Sequence, residues 1–269
     1  MPALCPESTI SGNRLGNSTI ASGLVLVTGG ARGIGAAIAR RLAADGFAVA
    51  VNFAKDAKAA EATVGAIRAA GGKAEAFQAD VGDAGAIPGL FEAAVAALGP
   101  LAGLVNNAGI GGAAARVDAQ GADDLERLFR VNVVGLMLCC GEAVRRLSTK
   151  QGGSGGAIVN ISSVAARLGG LNGLVPYAAS KGAVESFTRG LAAEVGAEGI
   201  RVNAIAPGMV ATDMTVPILG SPAVKDRILS TIPLGRIGAP EEIADAASWL
   251  MSKGAGFVTG SVVTVSGGR

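Results

Sequence analysis

The sequence predicts an α/β fold: one doubly wound domain of about seven parallel strands with helices on both faces. Three observations predict it. Short β-rich apolar runs alternate with Ala-rich helical segments from Leu24 onward. The strands are continuously apolar, as strands covered on both faces must be, and that makes the sheet parallel. No linker divides the 269 residues.

The elements follow in order. Leu24–Thr28 reads as a buried strand. Gly33–Ala44 is a helix, with Ile34, Ile38 and Leu42 on one face. Phe47–Asn52 is the second strand, and Ala57–Ala70 a helix closed by Gly71-Gly72. Lys73–Ala79 is a strand, Ala84–Leu98 a helix stopped by Gly99-Pro100, and Leu101–Val105 a strand. Ala122–Leu147 reads as one long helix, apolar nearly all round in its middle and therefore buried against the sheet or a partner. Ala157–Ser162 is a strand, Val175–Val195 a helix and Ile200–Ala206 a strand. Met209–Gly238 reads as irregular, broken by Pro217, Pro222 and Pro233. Pro240 opens a last helix to Met251, with Glu241 and Glu242 in its first turn as the helix dipole favours. Ser261–Val265 is the last strand. Residues 1–22, rich in Ser, Asn, Gly and Thr, are expected to be a mobile extension or a mis-assigned start outside the fold, leaving 23–269 as the domain.

Composition narrows the function classes. The core is aliphatic, since 50% of residues are hydrophobic and only 3% aromatic. The mean hydropathy of +0.47 comes from Ala-rich helices, and no apolar run approaches the ~20 residues of a membrane span. A net charge of +2, scattered along the chain, points to neither nucleic acid nor a membrane surface. Cys5, Cys139 and Cys140 do not form a disulfide framework, and the N-terminus lacks a secretory pattern. A cytoplasmic protein is expected, with Cys139 and Cys140 as small core hydrophobes.

There is no histidine, which excludes a Ser-His-Asp hydrolase, a His general base and a His-ligated metal; no metal site is expected. The match of Gly152-x-Ser154-x-Gly156 to a nucleophile elbow is therefore spurious, and it also precedes a strand rather than following one. The single tyrosine lies in Tyr177-Ala-Ala-Ser-Lys181. On one helix Tyr177 and Lys181 share a face, and an ammonium there lowers the phenol pKa from about 10 toward neutrality. A shift of about three units needs roughly 4 kcal/mol, more than one lysine supplies. A second positive charge is implied, and an oxidised nicotinamide ring would provide it.

Thr28-Gly29-Gly30-Ala31-Arg32-Gly33-Ile34-Gly35 joins the first strand to the first helix, where glycines let backbone approach a pyrophosphate and the helix N-terminus favours the anion. The second strand ends Asn52-Phe53-Ala54-Lys55, without the carboxylate that binds a ribose 2′-hydroxyl in NAD sites. Arg32 and Lys55 place two cations where a 2′-phosphate would lie, so NADP(H) is expected; the alternative is that both are solvated surface charges. Asn106-Asn107-Ala108-Gly109 and Ile161-Ser162-Ser163 end two further strands at the ligand-binding edge.

With these motifs in family order, and with Asn132 and Pro207-Gly208 in place, the chain resembles a short-chain dehydrogenase/reductase from Leu24 to Gly268. The resemblance implies a Rossmann domain and a set of roles. Tyr177 is the general acid/base, and Lys181 lowers its pKa and binds the nicotinamide ribose. Ser163 hydrogen-bonds the substrate oxygen, with Ser162 as the alternative, and Asn132 positions a relay water. Gly29, Ala31, Arg32, Gly33, Ile34, Gly35, Asn52, Phe53, Ala54 and Lys55 would hold the cofactor. So would Asp80 and Val81 beside the adenine, Asn107, Ala108, Gly109, Ile161, Pro207 and Gly208, and Val210 and Thr212 near the carboxamide. Ala31 stands where many NADP-preferring members carry a serine, so moderate selectivity is expected.

The chain is most similar to 3-oxoacyl-acyl-carrier-protein reductases through Thr212-Asp213-Met214, Ile232–Arg236 and Pro240-Glu241-Glu242. Such reductases present arginines to their acidic carrier at positions matching about Ser154 and Glu198, so carrier docking is expected to be weak and the substrate a small or medium carbonyl. The runner-up is a carrier-protein reductase; a cofactor-binding sensor without turnover is the reading from another class. Leu168, Leu171, Leu174, Met209, Met214 and Ile218 suggest an apolar pocket. Family resemblance also implies a homotetramer.

Overall fold

The computed structural model describes residues 23–170, 173–213, 215 and 222–269. Seven strands form one parallel sheet in the order β3-β2-β1-β4-β5-β6-β7. They are β1 Leu24–Thr28, β2 Ala48–Phe53, β3 Ala74–Gln78, β4 Leu101–Asn106, β5 Gly156–Ile161, β6 Ile200–Pro207 and β7 Val262–Val265. The order reverses between β1 and β4, the crevice where open α/β sheets bind ligands.

Side-chain alternation builds two cores. Val25 and Val27 of β1 point to one face, where they meet Ile38 and Leu42 of α1 (Gly33–Ala44), Val64 and Ile67 of α2 (Ala57–Ala69), and Ile243 and Leu250 at the far end of the chain. Leu24 and Leu26 point to the other, against Phe91 of α3 (Ala86–Leu98) and residues of two later helices. Both cores are aliphatic, and the sheet between them is almost wholly dry, as its continuous apolar runs require.

Two expectations are corrected. The single helix over Ala122–Leu147 is α4 (Ala122–Phe129) and α5 (Leu136–Leu147) joined by a π-helical turn, Arg130–Gly135. A Cβ on Gly135 would lie 2.3 Å from the Val81 carbonyl, so the turn presses against the loop after β3 at a point only glycine permits. Wide turns of this kind recur at functional sites. The stretch read as irregular contains a helix, α8 (Pro222–Leu229), after the short α6 (Ala165–Leu168) and α7 (Val175–Val195). Pro222 starts that helix rather than breaking one, because a proline at the first position loses no helical hydrogen bond. The last helix, α9, spans Pro240–Met251. Cys139 and Cys140 are fully buried in α5, where burial pushes the Cys139 thiol up to about 12 and Cys140 higher still, so both are inert thiols.

Candidate active site

Every sequence-predicted site residue lies at or just beyond the carboxyl edge of the sheet, or on the first turns of α7 and the π-helical turn that face it. The glycine turn after β1 is held from below. Thr28, buried at the end of β1, accepts from the amides of Asn107 and Ala108 at 3.0 and 3.1 Å. The Asn107 side chain donates to the carbonyls of Thr28 and Gly29 at 3.1 and 2.9 Å. Gly29 has φ +60°, and a Cβ on Gly35 would come within 2.3 Å of the Gly29 carbonyl. Glycine at both positions follows from that closeness.

Helix α1 begins without a side-chain cap and without an acidic residue in its first turn. Its first amides and the exposed Arg32 guanidinium thus form a positive terminus, with the exposed Asp213 carboxylate 3.7 Å from that guanidinium. This donor set fits a pyrophosphate. No carboxylate ends β2, and Lys55 is exposed just after it. Asn52, expected on the cofactor, turns its side chain inward instead. It is 1% exposed, accepts from the Gly29 amide at 3.3 Å and donates to the carbonyls of Phe77 and Ala79 at 3.3 and 2.9 Å. It pins β2 to β3 and to the glycine turn. Phe53, Val81 and Val210 are likewise buried, leaving their backbone and neighbours to face a ligand, whereas Ala54 and Asp80 are exposed. Asp80 caps its own turn by accepting from the Gly82 amide at 2.8 Å.

The catalytic candidates converge where β5, α7 and the π-helical turn meet. Lys181 is 4% exposed, and its ammonium donates to the Ile161 carbonyl at 2.8 Å. It lies 5.7 Å from the centre of the Tyr177 ring. Ser163 shares a hydrogen bond with the Tyr177 hydroxyl and accepts from the Ala165 amide at 3.1 Å. Ser162 is spent elsewhere: it is buried, with its hydroxyl at 3.2 Å from the Lys181 carbonyl and 3.1 Å from Glu185. Of the two serines, Ser163 faces Tyr177.

The Asn132 side chain accepts from the Ile110 amide at 2.8 Å and donates to the Ile110 carbonyl at 2.9 Å and to Ser180 at 3.2 Å. Ser180 in turn donates to the Tyr177 carbonyl at 2.7 Å. Sequence reasoning missed Ser180 and Thr28, although both sit inside motifs it had singled out.

Lys181 alone does not lower the tyrosine pKa. Burial pushes the Tyr177 phenol above its ordinary value, and the hydrogen bond from Ser163 opposes this only in part. Lys181 is itself pushed down to about 8 by burial, because a fully enclosed ammonium loses its hydration. The same burial that assembles the pair disfavours the charged form of each.

The two positions expected to meet a carrier protein lie away from Tyr177. Ser154 precedes β5 and Glu198 precedes β6, so both lie at the amino edge of the sheet, opposite Tyr177 within the chain. Glu198 accepts from Ser148 at 2.5 Å and pairs with Lys150 at 3.2 Å, and these contacts hold its carboxyl below the usual range. Of the expected pocket residues, Leu168 is exposed while Leu174 and Met209 are half-buried. The side chains of Leu171, Met214 and Ile218 lie outside the described residues. Among the described residues, no helix is long and apolar enough to cross a membrane, and no cluster of three His, Cys, Asp or Glu forms a metal site.

Comparison with known proteins gives consistent matches. A family model described as enoyl-(acyl carrier protein) reductase matches residues 29–269. The uncharacterized oxidoreductase YgfF of Escherichia coli is 48% identical over 246 residues, covering 91% of this chain and 99% of that protein. A 3-oxoacyl-(acyl-carrier-protein) reductase of Synechocystis is 40% identical over 246 residues, with 91% and 96% covered. A short-chain dehydrogenase from Burkholderia cenocepacia, crystallised in complex with NADP, superposes with a TM-score of 0.84 at 37% identity, covering 91% of this chain and 96% of that one.

Proposed function

Because the chain belongs to the short-chain dehydrogenase/reductase family, we propose that it is an NADP(H)-dependent oxidoreductase that interconverts a ketone or aldehyde and an alcohol, with Tyr177 as general acid/base. The observation that carries the reading is the convergence of Ser163, Tyr177 and Lys181 at the end of β5. The uncapped, basic start of α1 supports a dinucleotide, and the lack of a carboxylate after β2, with Arg32 and Lys55 nearby, supports its 2′-phosphorylated form. The relative crystallised with NADP agrees with this choice.

When bound, NADPH supplies the hydride. The protein's own residues handle the oxygen. Ser163 and Tyr177 donate hydrogen bonds to the carbonyl oxygen, and Tyr177 passes its proton to that oxygen as negative charge develops there. Lys181, held by Ile161, keeps a positive charge beside the phenolate that remains. A phenol raised by burial is protonated at neutral pH and so holds the proton that reduction requires. Asn132 fixes the backbone of Ile110 and, through Ser180, the first turn of α7, which places it as a positioning residue as well as the expected holder of a relay water.

A second reading, reduction of 3-oxoacyl groups on a carrier protein, is supported by the Synechocystis relative. Following NADPH oxidation across a panel of small ketones, aldehydes, a 3-oxoacyl thioester and its carrier-bound form tests both. Turnover of small carbonyls supports the first. A large advantage for the carrier-bound form supports the second, and no oxidation with any of them leaves the cofactor-binding sensor. The protein acts as a homotetramer in the cytoplasm on this reading.

A further inference from the structure

The segment after β6 folds back onto the glycine turn and carries an acid to it. Val210 bridges to Gly238, with the Ala211 amide donating to the Gly238 carbonyl at 2.9 Å and the Gly238 amide to the Met209 carbonyl at 3.0 Å. The Thr215 hydroxyl accepts from the Thr212 amide at 2.9 Å and donates to the Val210 carbonyl at 2.6 Å. Residues 210–213 are therefore a braced turn. Its Thr212 methyl lies 3.4 Å from where a Cβ on Gly33 would be, so the turn rests against the start of α1. Next to it, the Asp213 carboxylate sits 3.7 Å from the Arg32 guanidinium.

We propose that Asp213 is a specificity-determining residue: by holding Arg32 it competes with the 2′-phosphate of NADP(H) for that guanidinium and narrows the preference over NAD(H). The inference rests on the NADP(H) reading above. Both side chains are largely solvent-exposed, 67% and 72%, so the pair adds little to stability. Its effect falls on any anion that seeks the same cation. A 2′-phosphate must displace the carboxylate or share the guanidinium with it, and meets its repulsion in either case. A dinucleotide lacking that phosphate meets neither cost. The short, braced turn keeps the acid in place, so the competition does not depend on how the rest of the segment lies.

The test is a binding titration with NADPH and with NADH, followed by ligand fluorescence, on the full-length protein and its Asp213→Asn, Asp213→Glu, Arg32→Ala and Arg32→Ala/Asp213→Asn variants. Asp213→Asn is expected to lower the NADPH Kd about threefold, the scale of one exposed charge pair, and to leave the NADH Kd unchanged. The gain should shrink as salt rises and vanish in the Arg32→Ala background, while Asp213→Glu keeps the original Kd. Unchanged melting temperatures exclude a folding effect. If Arg32→Ala weakens NADPH binding but Asp213→Asn does not change it, or shifts NADH equally, the inference is overturned alone. If Arg32→Ala leaves NADPH binding intact, the cofactor reading falls with it.

Discussion

The ammonium of Lys181 donates to the Ile161 carbonyl at 2.8 Å inside a site that leaves the lysine 4% exposed, and burial pushes its pKa from 10.5 down to about 8. Between about 8 and 10.5 the unfolded chain binds a proton that the folded chain does not. Stability therefore rises with pH across that window, and the cost of the buried charge is fully present below it. The shift corresponds to about 3 kcal/mol, less about 1 for the hydrogen bond that an apolar replacement loses. Lys181→Met is expected to be more stable than the original protein by about 2 kcal/mol at pH 7, with the gain disappearing near pH 10.5, while turnover is lost. Urea titrations at pH 7 and at high pH check this; a gain independent of pH would mean that folding does not shift the lysine pKa.

Tyr177→Phe removes the only phenol in the chain, so nothing else at the site inherits its proton. Cofactor binding should persist and turnover fall by at least about two orders of magnitude, the usual worth of general acid catalysis. Near-normal kcat in this variant would end the proposed mechanism.

The cofactor preference should be real but moderate. Lys55 is exposed beyond β2, and Ala31 offers no hydroxyl. Comparing kcat/KM with NADPH and NADH should favour NADPH. Lys55→Ala should cut the NADPH value several-fold, roughly the loss of one charge-assisted contact, with less effect on NADH. A clear NADH preference in the original protein would refute the charge argument.

How far the chain could be read depends on the range of the interaction. The bounds of β1, α1, α7 and α9 were legible because apolar periodicity and terminal residues act locally. The π-helical turn at Arg130–Gly135 was not, because its cause is the approach of Gly135 to Val81, some fifty positions away in sequence. The side-chain partners of Asn52 were not legible for a related reason. A residue at a ligand-binding strand end looks like a ligand contact unless its partners on β3 are known. For Tyr177 likewise, spacing reports the nearby Lys181 but not the desolvation that raises the phenol.

Asn52 thus has a structural role to test. The buried Asn52 side chain satisfies the carbonyls of Phe77 in β3 and Ala79 just after it, and the Gly29 amide, in a partly buried setting. Asn52→Ala leaves those groups unpaired and should cost about 2–4 kcal/mol by the usual penalty for buried unsatisfied groups. Chemical denaturation measures the loss. If instead stability is unchanged and only NADPH binding weakens, Asn52 contacts the cofactor as the sequence suggested.

A tetramer is expected from apolar side chains left exposed among the described residues. Val134 is 46% exposed and Leu138 39%, spaced i, i+4 on the π-helical turn and α5. On another side Trp249 of α9 is 43% exposed and Phe257 fully so. Two separate patches suit two isologous interfaces, and two such interfaces with perpendicular two-fold axes close as a D₂ tetramer. Light scattering should therefore give the mass of four chains at micromolar concentration. Val134→Glu combined with Leu138→Glu places carboxylates on one patch only, on positions already exposed in the single chain, so the fold should survive. That variant should sediment as a dimer held by the Trp249 patch. A tetramer unaffected by these two charges would move the interface elsewhere, and a stable monomer of the original protein would exclude the assembly altogether.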